Sequence, residues 1–265
     1  MDMKVAIVGG GNLGTAIAEG LLYGHQLEAA SIYLTRRKTH LLENFTKRGV
    51  NVTSNNEEAV NACDLVLLAI KPYQVEAVLR EVAPVLTPSK VVVSMVAGVS
   101  LETLSKAAGE HIPLFRAMPN TAIALCESMS CIAYSKQWES QKDVVVNFFE
   151  KLGSAIVVNE ELMSAATVLG SCGVAFALRF MRAAMQGGIE IGFSAEMSQH
   201  IVAQTMKGAS ELILKSGHHP EKEIDKVTTP MGVTISGLNE MEHQGFSSSL
   251  IQGLVASYRK IERAK

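Results

Sequence analysis

Aromatic side chains are scarce in this chain: of 265 residues only 5% are Phe, Trp or Tyr, with a single tryptophan. Charge is sparse too, at 19%, and the two signs nearly cancel to a formal net charge of -2 and a pI of about 6.4. Without a basic excess there is no electrostatic footprint for nucleic acid or for an anionic membrane surface. Cysteine is limited to Cys63, Cys126, Cys131 and Cys172, with no CxxC and no metal-ligand spacing. That pattern predicts reduced thiols, a cytoplasmic protein and no bound metal. Long apolar runs are missing as well. The longest weakly polar stretch, Ala165 to Leu178, falls short of a bilayer span and is closed by Arg179 and Arg182, so no membrane contact is expected. Lys4 opens what reads as a core strand, and no signal peptide is expected ahead of it.

What the chain does have is apolar mass. Hydrophobic residues make up 48% and the mean hydropathy is +0.19, too apolar for disorder and enough for one large domain or two of ordinary size. In the first half, strand-like and helix-like segments alternate. Val5 to Val8 is a short apolar run ending in glycines, and Leu13, Ile17, Leu21 and Leu22 then follow a helical spacing that stops near Gly24. Further strands are predicted at Ser31–Thr35, Val50–Thr53, Leu65–Ile70, Val91–Met95, Leu114–Met118, Ser130–Tyr134 and Ala155–Val157. This alternation predicts an α/β fold, a doubly wound parallel sheet of Rossmann type. From Asn159 onward no strand is convincing and small residues crowd the chain. Met197, Ile201, Val202, Thr205, Ala209, Leu212 and Ile213 mark one face of a long helix stopped by Gly217, and Ile251, Leu254, Val255 and Tyr258 mark a last one. The reading is therefore a Rossmann domain over 1–158 and an all-helical domain over 159–265, whose small-residue surface suits an interface between subunits.

The chemistry concentrates at glycine. Gly9-Gly10-Gly11-Asn12-Leu13-Gly14 fits G-x-G-x-x-G between a strand and a helix, the one context that gives the pattern meaning. Gly9 permits a tight turn, Gly11 lets the backbone approach a pyrophosphate, and Gly14 lets helix and strand pack closely. The helix N-terminus then faces the phosphates with unpaired N–H groups. About 20 residues further on, an NAD site wants Asp or Glu for the ribose 2′-hydroxyl. Here the sequence is Thr35-Arg36-Arg37-Lys38, and three cations with a hydroxyl suit the 2′-phosphate of NADP, because guanidinium groups grip phosphate in a planar fork.

Four further stretches complete the pattern: Leu68-Ala69-Ile70-Lys71-Pro72, Ser94-Met95-Val96-Ala97-Gly98, Arg116-Ala117-Met118-Pro119-Asn120-Thr121, and Val227-Thr228-Thr229-Pro230-Met231-Gly232-Val233-Thr234-Ile235. In this order, with the glycine-rich start, they resemble the pyrroline-5-carboxylate reductase family along essentially the whole chain. The resemblance implies hydride transfer from NAD(P)H to pyrroline-5-carboxylate, giving L-proline in the last step of proline biosynthesis. It also implies a homodimer or larger homo-oligomer with intertwined helical domains. It carries cofactor contacts, NADP(H) or alternatively NAD(H), to Gly9 through Gly14, Thr35, Arg36, Asn56, Ala69, Ile70, Lys71, Pro72, Ser94, Ala97 and Gly98. Around the substrate it places Glu160, Thr229, Gly232, Val233 and Thr234, the last holding the ring nitrogen through its hydroxyl. Taken as bare residues, Thr234 and Asn56 also read as helix caps, and Lys71 as a loop charge.

The chain departs from the family pattern at Cys172 and Val174, where a hydroxyl and a helix-starting proline are usual. It departs again at Met231 and Val233, where a glycine and a threonine are usual. Two other readings follow: another NADP-dependent reductase of related build, or a non-catalytic NADP-binding paralogue. His218-His219 with Glu221 and Glu223 reads as a polar loop before Pro220 in preference to a metal site.

Overall fold

The computed structural model describes residues 3–263. Its sheet has eight strands in the order β3-β2-β1-β4-β5-β6-β7-β8. They are β1 (Val5–Val8), β2 (Ile32–Thr35), β3 (Asn51–Thr53), β4 (Leu65–Leu68), β5 (Val91–Ser94), β6 (Leu114–Met118), β7 (Ser128–Tyr134) and β8 (Gly153–Val157). β1 lies between β2 and β4, with Val5 opposite both Ile32 and Leu65. The central strands β1, β4 and β5 are short, fully buried, mostly apolar runs because both faces are covered. Along β1 and β4, Val5, Ile7, Leu65 and Leu67 enter one core with Ile17, Leu21, Phe115, Phe148 and Phe149. Ala6, Val8, Val66 and Leu68 enter the other, against Leu79, Val82 and Leu104. Each face is closed by the amphipathic helices of the crossovers.

The sheet is parallel as expected except at one pair. β7 runs antiparallel to β6, with Phe115 opposite Tyr134 and Met118 opposite Cys131, and β8 then follows β7 in parallel. The cause is the length of the connection. Pro119–Glu127 holds only a 3₁₀ turn, Thr121–Leu125, and is too short for the crossover of a dozen or so residues that parallel neighbours need.

After β8 every regular element among the described residues is helical. Glu160 to Glu190 winds almost continuously, through a π-helical stretch at Thr167–Cys172 into a helix at Gly173–Glu190. The further helices are Ala195–Ser216, Pro220–Lys226, Val233–His243 and Phe246–Glu262. Val174 lies at the start of the Gly173–Glu190 helix, which continues from the π-helical stretch before it, and its backbone N–H lets the winding run on where a proline would interrupt it. The Glu160–Glu190 helix is 31 residues long and holds an 18-residue window with a mean hydropathy of 1.5, enough by length and composition to cross a membrane. Leu162 and Met163 extend the apolar stretch upstream of Ala165.

The chain forms two compact units, one reaching to Val174 and including the segment from Ser257, the other spanning Ala175–Ala256. The first unit continues past Asn159, where the composition changes, because Met163 is buried against Met118 and Ala133 and Asn120 Nδ2 donates to the Gly170 carbonyl at 3.0 Å.

Candidate dinucleotide and substrate sites

The glycine turn follows β1 at the point where the strand order reverses, between β2 on one side and β4 on the other. Open α/β sheets bind ligands in the crevice at that switch point. Gly9 has φ +111°, and a side chain there would drive into the Ala69 carbonyl and Ile70. At Gly14 a side chain would overlap the Gly9 carbonyl oxygen, so the turn and the helix behind it touch backbone to backbone. Gly11 differs: nothing in the chain lies within 4 Å of where its side chain would be. Open space at that glycine leaves room for a ligand to approach the backbone.

Electrostatics point the same way. Helix Asn12–Tyr23 begins at Gly11 with no side-chain cap and no acidic residue in its first turn. By contrast Asn55, Ser100 and Ser194 each cap their own helices with a side-chain oxygen. The uncompensated positive end of the helix dipole therefore faces the crevice edge, a ready anion site.

The side chains expected around the nucleotide form one connected network. Thr35 is buried; its hydroxyl accepts from the Gly9 N–H at 3.2 Å and donates to Asn56 Oδ1 at 2.7 Å. Gly10 donates its N–H to the Thr35 carbonyl at 2.6 Å, and Arg36 Nη1 donates to the Gly10 carbonyl at 2.8 Å. Asn56 is not the helix cap that its position before Glu57-Glu58 suggested. Asn55 takes that role through Glu58 N–H, which releases Asn56 to bond Thr35 and, through Nδ2, Glu81 at 3.1 Å. Arg37 and Lys38 are exposed beyond the end of β2. The residues present therefore fit a phosphorylated dinucleotide: an uncapped helix end for the pyrophosphate and exposed cations beside the ribose position.

The other expected cofactor positions line the same sheet edge. Ala69 donates its N–H to the Val8 carbonyl at 2.8 Å, and Ile70 abuts Gly9. Lys71 is exposed and its N–H donates to Gln74 Oε1 at 3.1 Å; Pro72 begins the 3₁₀ turn Pro72–Gln74. Ser94 is buried at the end of β5 with its hydroxyl accepting from Val96 N–H, and Ala97 leads into Gly98 at φ +77°.

Glu160 has two donors. Its Oε1 accepts from the Leu101 N–H at 2.6 Å and from Arg116 Nη1 at 3.0 Å. Arg116 is buried in β6, and its Nε has no protein partner. The pair lies on a cleft of about 680 Å³ lined by Gly98, Ser100, Thr103, Arg116, Tyr134 and Glu160 among others. Arg116 and Asn120 have roles that their motif did not reveal; the local signals are a cation inside an apolar strand and an Asn just before a 3₁₀ turn.

The other expected substrate residues sit together on the turn Thr229–Gly232 and the start of helix Val233–His243. Gly232 N–H donates to the Thr229 carbonyl at 2.9 Å, closing a turn with Pro230 second and Met231, at φ +61°, third. That is the pattern of a type II turn, whose third position normally goes to glycine. Gly232 is the N-cap of the helix, which again has no side-chain cap and no acid in its first turn. Thr234 is thus the second residue of the helix and not its cap, and its side chain is half-buried. His218 is engaged locally, with Nδ1 at 2.6 Å from Glu223 and Lys222 Nζ at 3.2 Å from Nε2.

The glycine turn at the switch point, the uncapped helix behind it and the helical second unit define a Rossmann-type dinucleotide-binding oxidoreductase. Residues 4–98 match the family model described as NADP oxidoreductase coenzyme F420-dependent, and residues 160–264 match that for pyrroline-5-carboxylate reductase dimerisation. The chain belongs to the pyrroline-5-carboxylate reductase family. It is 44% identical to pyrroline-5-carboxylate reductase 1 of Dictyostelium discoideum over 98% of its own length and 49% of that protein's, so it spans about half of that relative. Against pyrroline-5-carboxylate reductase 2 of the same organism it is 39% identical over 100% of this chain and 94% of the relative. Among solved structures, pyrroline carboxylate reductase of Plasmodium falciparum with NADP bound superposes at a TM-score of 0.87 and 26% identity, covering 98% of this chain and 97% of that one. The dimerisation match, over residues 160–264, includes the Glu160–Glu190 helix.

Proposed function

We propose that the protein is an NAD(P)H-dependent oxidoreductase that reduces L-1-pyrroline-5-carboxylate to L-proline, the closing step of proline biosynthesis. The observation that carries this is the pair of uncapped helix starts, at Gly11 in the first unit and Gly232 in the second, within a chain of this family. One suits the cofactor pyrophosphate and the other a small carboxylate. The chemistry NAD(P)H supplies when bound is a hydride to the imine carbon. The chain's own residues then have little acid catalysis to perform, because a protonated imine is already electrophilic; orientation and exclusion of water supply the acceleration.

In this reading Gly9 to Gly14 hold the pyrophosphate through backbone N–H groups. Thr35 and Asn56 fix the turn from behind, and Arg36, Arg37 and Lys38 favour the 2′-phosphate of NADP over NAD. Ala69 to Pro72, Ser94, Ala97 and Gly98 shape the rest of the crevice wall. Backbone N–H groups at Val233 and Thr234 take the substrate carboxylate beside Thr229 and Gly232, and the Thr234 hydroxyl bonds the ring nitrogen. Glu160 supports the substrate side through Arg116 and Leu101. Residues 159–265 form the dimerisation and substrate domain of a homodimer or larger assembly, working in the cytoplasm with its four thiols free.

Mixing the protein with NADPH and pyrroline-5-carboxylate tests the proposal. The expected result is oxidation of the nicotinamide with proline formed in equal amount. Oxidation only with another carbonyl or imine would make it a different reductase, and tight NADPH binding without any turnover would make it a non-catalytic relative.

A further inference from the structure

Met231 occupies a backbone position built for glycine and makes no use of the chain around it. Its φ is +61° at the third position of the Thr229–Gly232 turn, in the left-handed region that is unfavourable for a residue with a Cβ. Its side chain is fully exposed, at 101% of the extended reference, so no packing within the chain offsets that strain. The residues beside the turn repeat the pattern: Val233 is 91% exposed and Val227 63%. An apolar collar therefore surrounds a turn whose next backbone N–H groups open an uncapped helix. Apolar side chains around an anion-binding backbone match a ligand with a carboxylate at one end and a hydrocarbon ring at the other.

We infer that Met231 is a specificity-determining residue that limits the ring size of the cyclic imino acid held at this turn. The inference rests on the proposed function, since it needs that turn to hold the substrate. The thioether lies over the methylene side of the ring and leaves room for a five-membered imine. One extra methylene in such a fit is worth on the order of ten-fold in kcat/KM.

The test compares wild type, Met231→Gly and Met231→Leu on 1-pyrroline-5-carboxylate and on the homologous six-membered cyclic imine carboxylate, with sedimentation velocity on each variant. Met231→Gly should shift the kcat/KM ratio toward the larger ring by roughly ten-fold, and Met231→Leu, which restores bulk, should stay near wild type. An unmoved ratio in an otherwise active Met231→Gly overturns the inference and leaves the functional reading standing. A changed oligomeric state with an unmoved ratio also overturns it, assigning Met231 to a contact between subunits. If wild type turns over neither ring, the functional reading falls and the inference with it.

Discussion

Thr234 is the second residue of its helix, with the capping position taken by Gly232, so its hydroxyl is not spent on the helix start. Removing it while keeping the shape should therefore leave stability nearly unchanged. Thr234→Val is expected to lower kcat/KM by roughly ten-fold, the size of one hydrogen bond of about 1 kcal/mol with an added alignment term. NADPH affinity should hold. A lower thermal midpoint with unaltered kinetics would return Thr234 to a purely structural role. The cations after β2 separate in the same way. Arg36 braces the glycine turn through the Gly10 carbonyl, whereas Arg37 is exposed and makes no side-chain hydrogen bond or ion pair among the described residues. Arg37→Ala should weaken NADPH by about ten-fold and spare NADH, since a charge-assisted bond to phosphate is worth about 1.5–3 kcal/mol before solvent screening. Arg36→Ala should weaken both cofactors, because the turn loosens, and NADPH the more, because a phosphate partner is also lost. Titration of each variant with the two nucleotides checks this, and equal losses for Arg37→Ala would sink the 2′-phosphate assignment.

Between elements, the Glu160–Arg116 pair ties the segment after β8 to β6 and to the start of helix Leu101–Ala108. The Arg116 side chain is only 8% exposed, so losing its carboxylate strands a charge away from water. Glu160→Ala is expected to cost about 2 kcal/mol, below the 3–5 of a fully buried pair because Glu160 itself is partly solvated. Glu160→Gln, which keeps an acceptor for the Leu101 N–H, should cost less, and denaturant midpoints with unchanged m values would show both. Cys63, between the Asn56–Asn61 helix and β4, is buried, and that desolvation pushes its thiol up to about 12. Its folded pKa lies above the ordinary thiol value of about 8.5, so this contribution to stability is whole below that value and fades as the pH rises toward 12. Iodoacetamide at pH 8 should leave Cys63 unmodified in the native protein and label it in denaturant, read by peptide mass; native labelling would mean that the core holding Ala6, Val66 and Leu79 opens readily. Much of this layer was legible in the sequence. β1 and β6 have the predicted bounds, and the first helix stops at Gly24, because short apolar runs and glycine stops are local signals. The direction of β7 was not, since alternation and burial say nothing about which way a strand runs; only the short Pro119–Glu127 connection carries that information. The Thr35–Asn56 bond was invisible for a related reason. It joins the end of β2 to the first residue of the Asn56–Asn61 helix, and the sequence showed Asn56 only against its immediate neighbours, where a cap was the natural reading.

At the scale of the molecule, the two units differ in how they are held. The first has two stacked cores against one sheet. In the second, Ala175–Ala256, Ser198 is the one buried residue, tucked against Gly188, and Phe180 meets Phe246 at 5.9 Å between ring centres. Leu178, Ile191, Phe193, Met197, Ile201, Leu212 and Leu214 are all exposed. Helices with bare apolar faces of this extent are not stable in water by propensity alone and need a covering surface. The dimerisation match to residues 160–264 supports the proposed homo-oligomer, in which a second copy of the same helices would cover these faces. Folding and assembly should then be one event, so the unfolding midpoint must rise with protein concentration, as it does when a subunit has no stable monomer. Sedimentation velocity at micromolar concentration is expected to show a dimer or a multiple of it. Ile201→Asp, which puts a charge on the face of helix Ala195–Ser216, should abolish the assembly and lower the midpoint, because a charge cannot be desolvated there without a partner. A wild-type monomer with full activity, or an Ile201→Asp variant that still assembles normally, would mean that the helical unit covers its apolar faces in some other way.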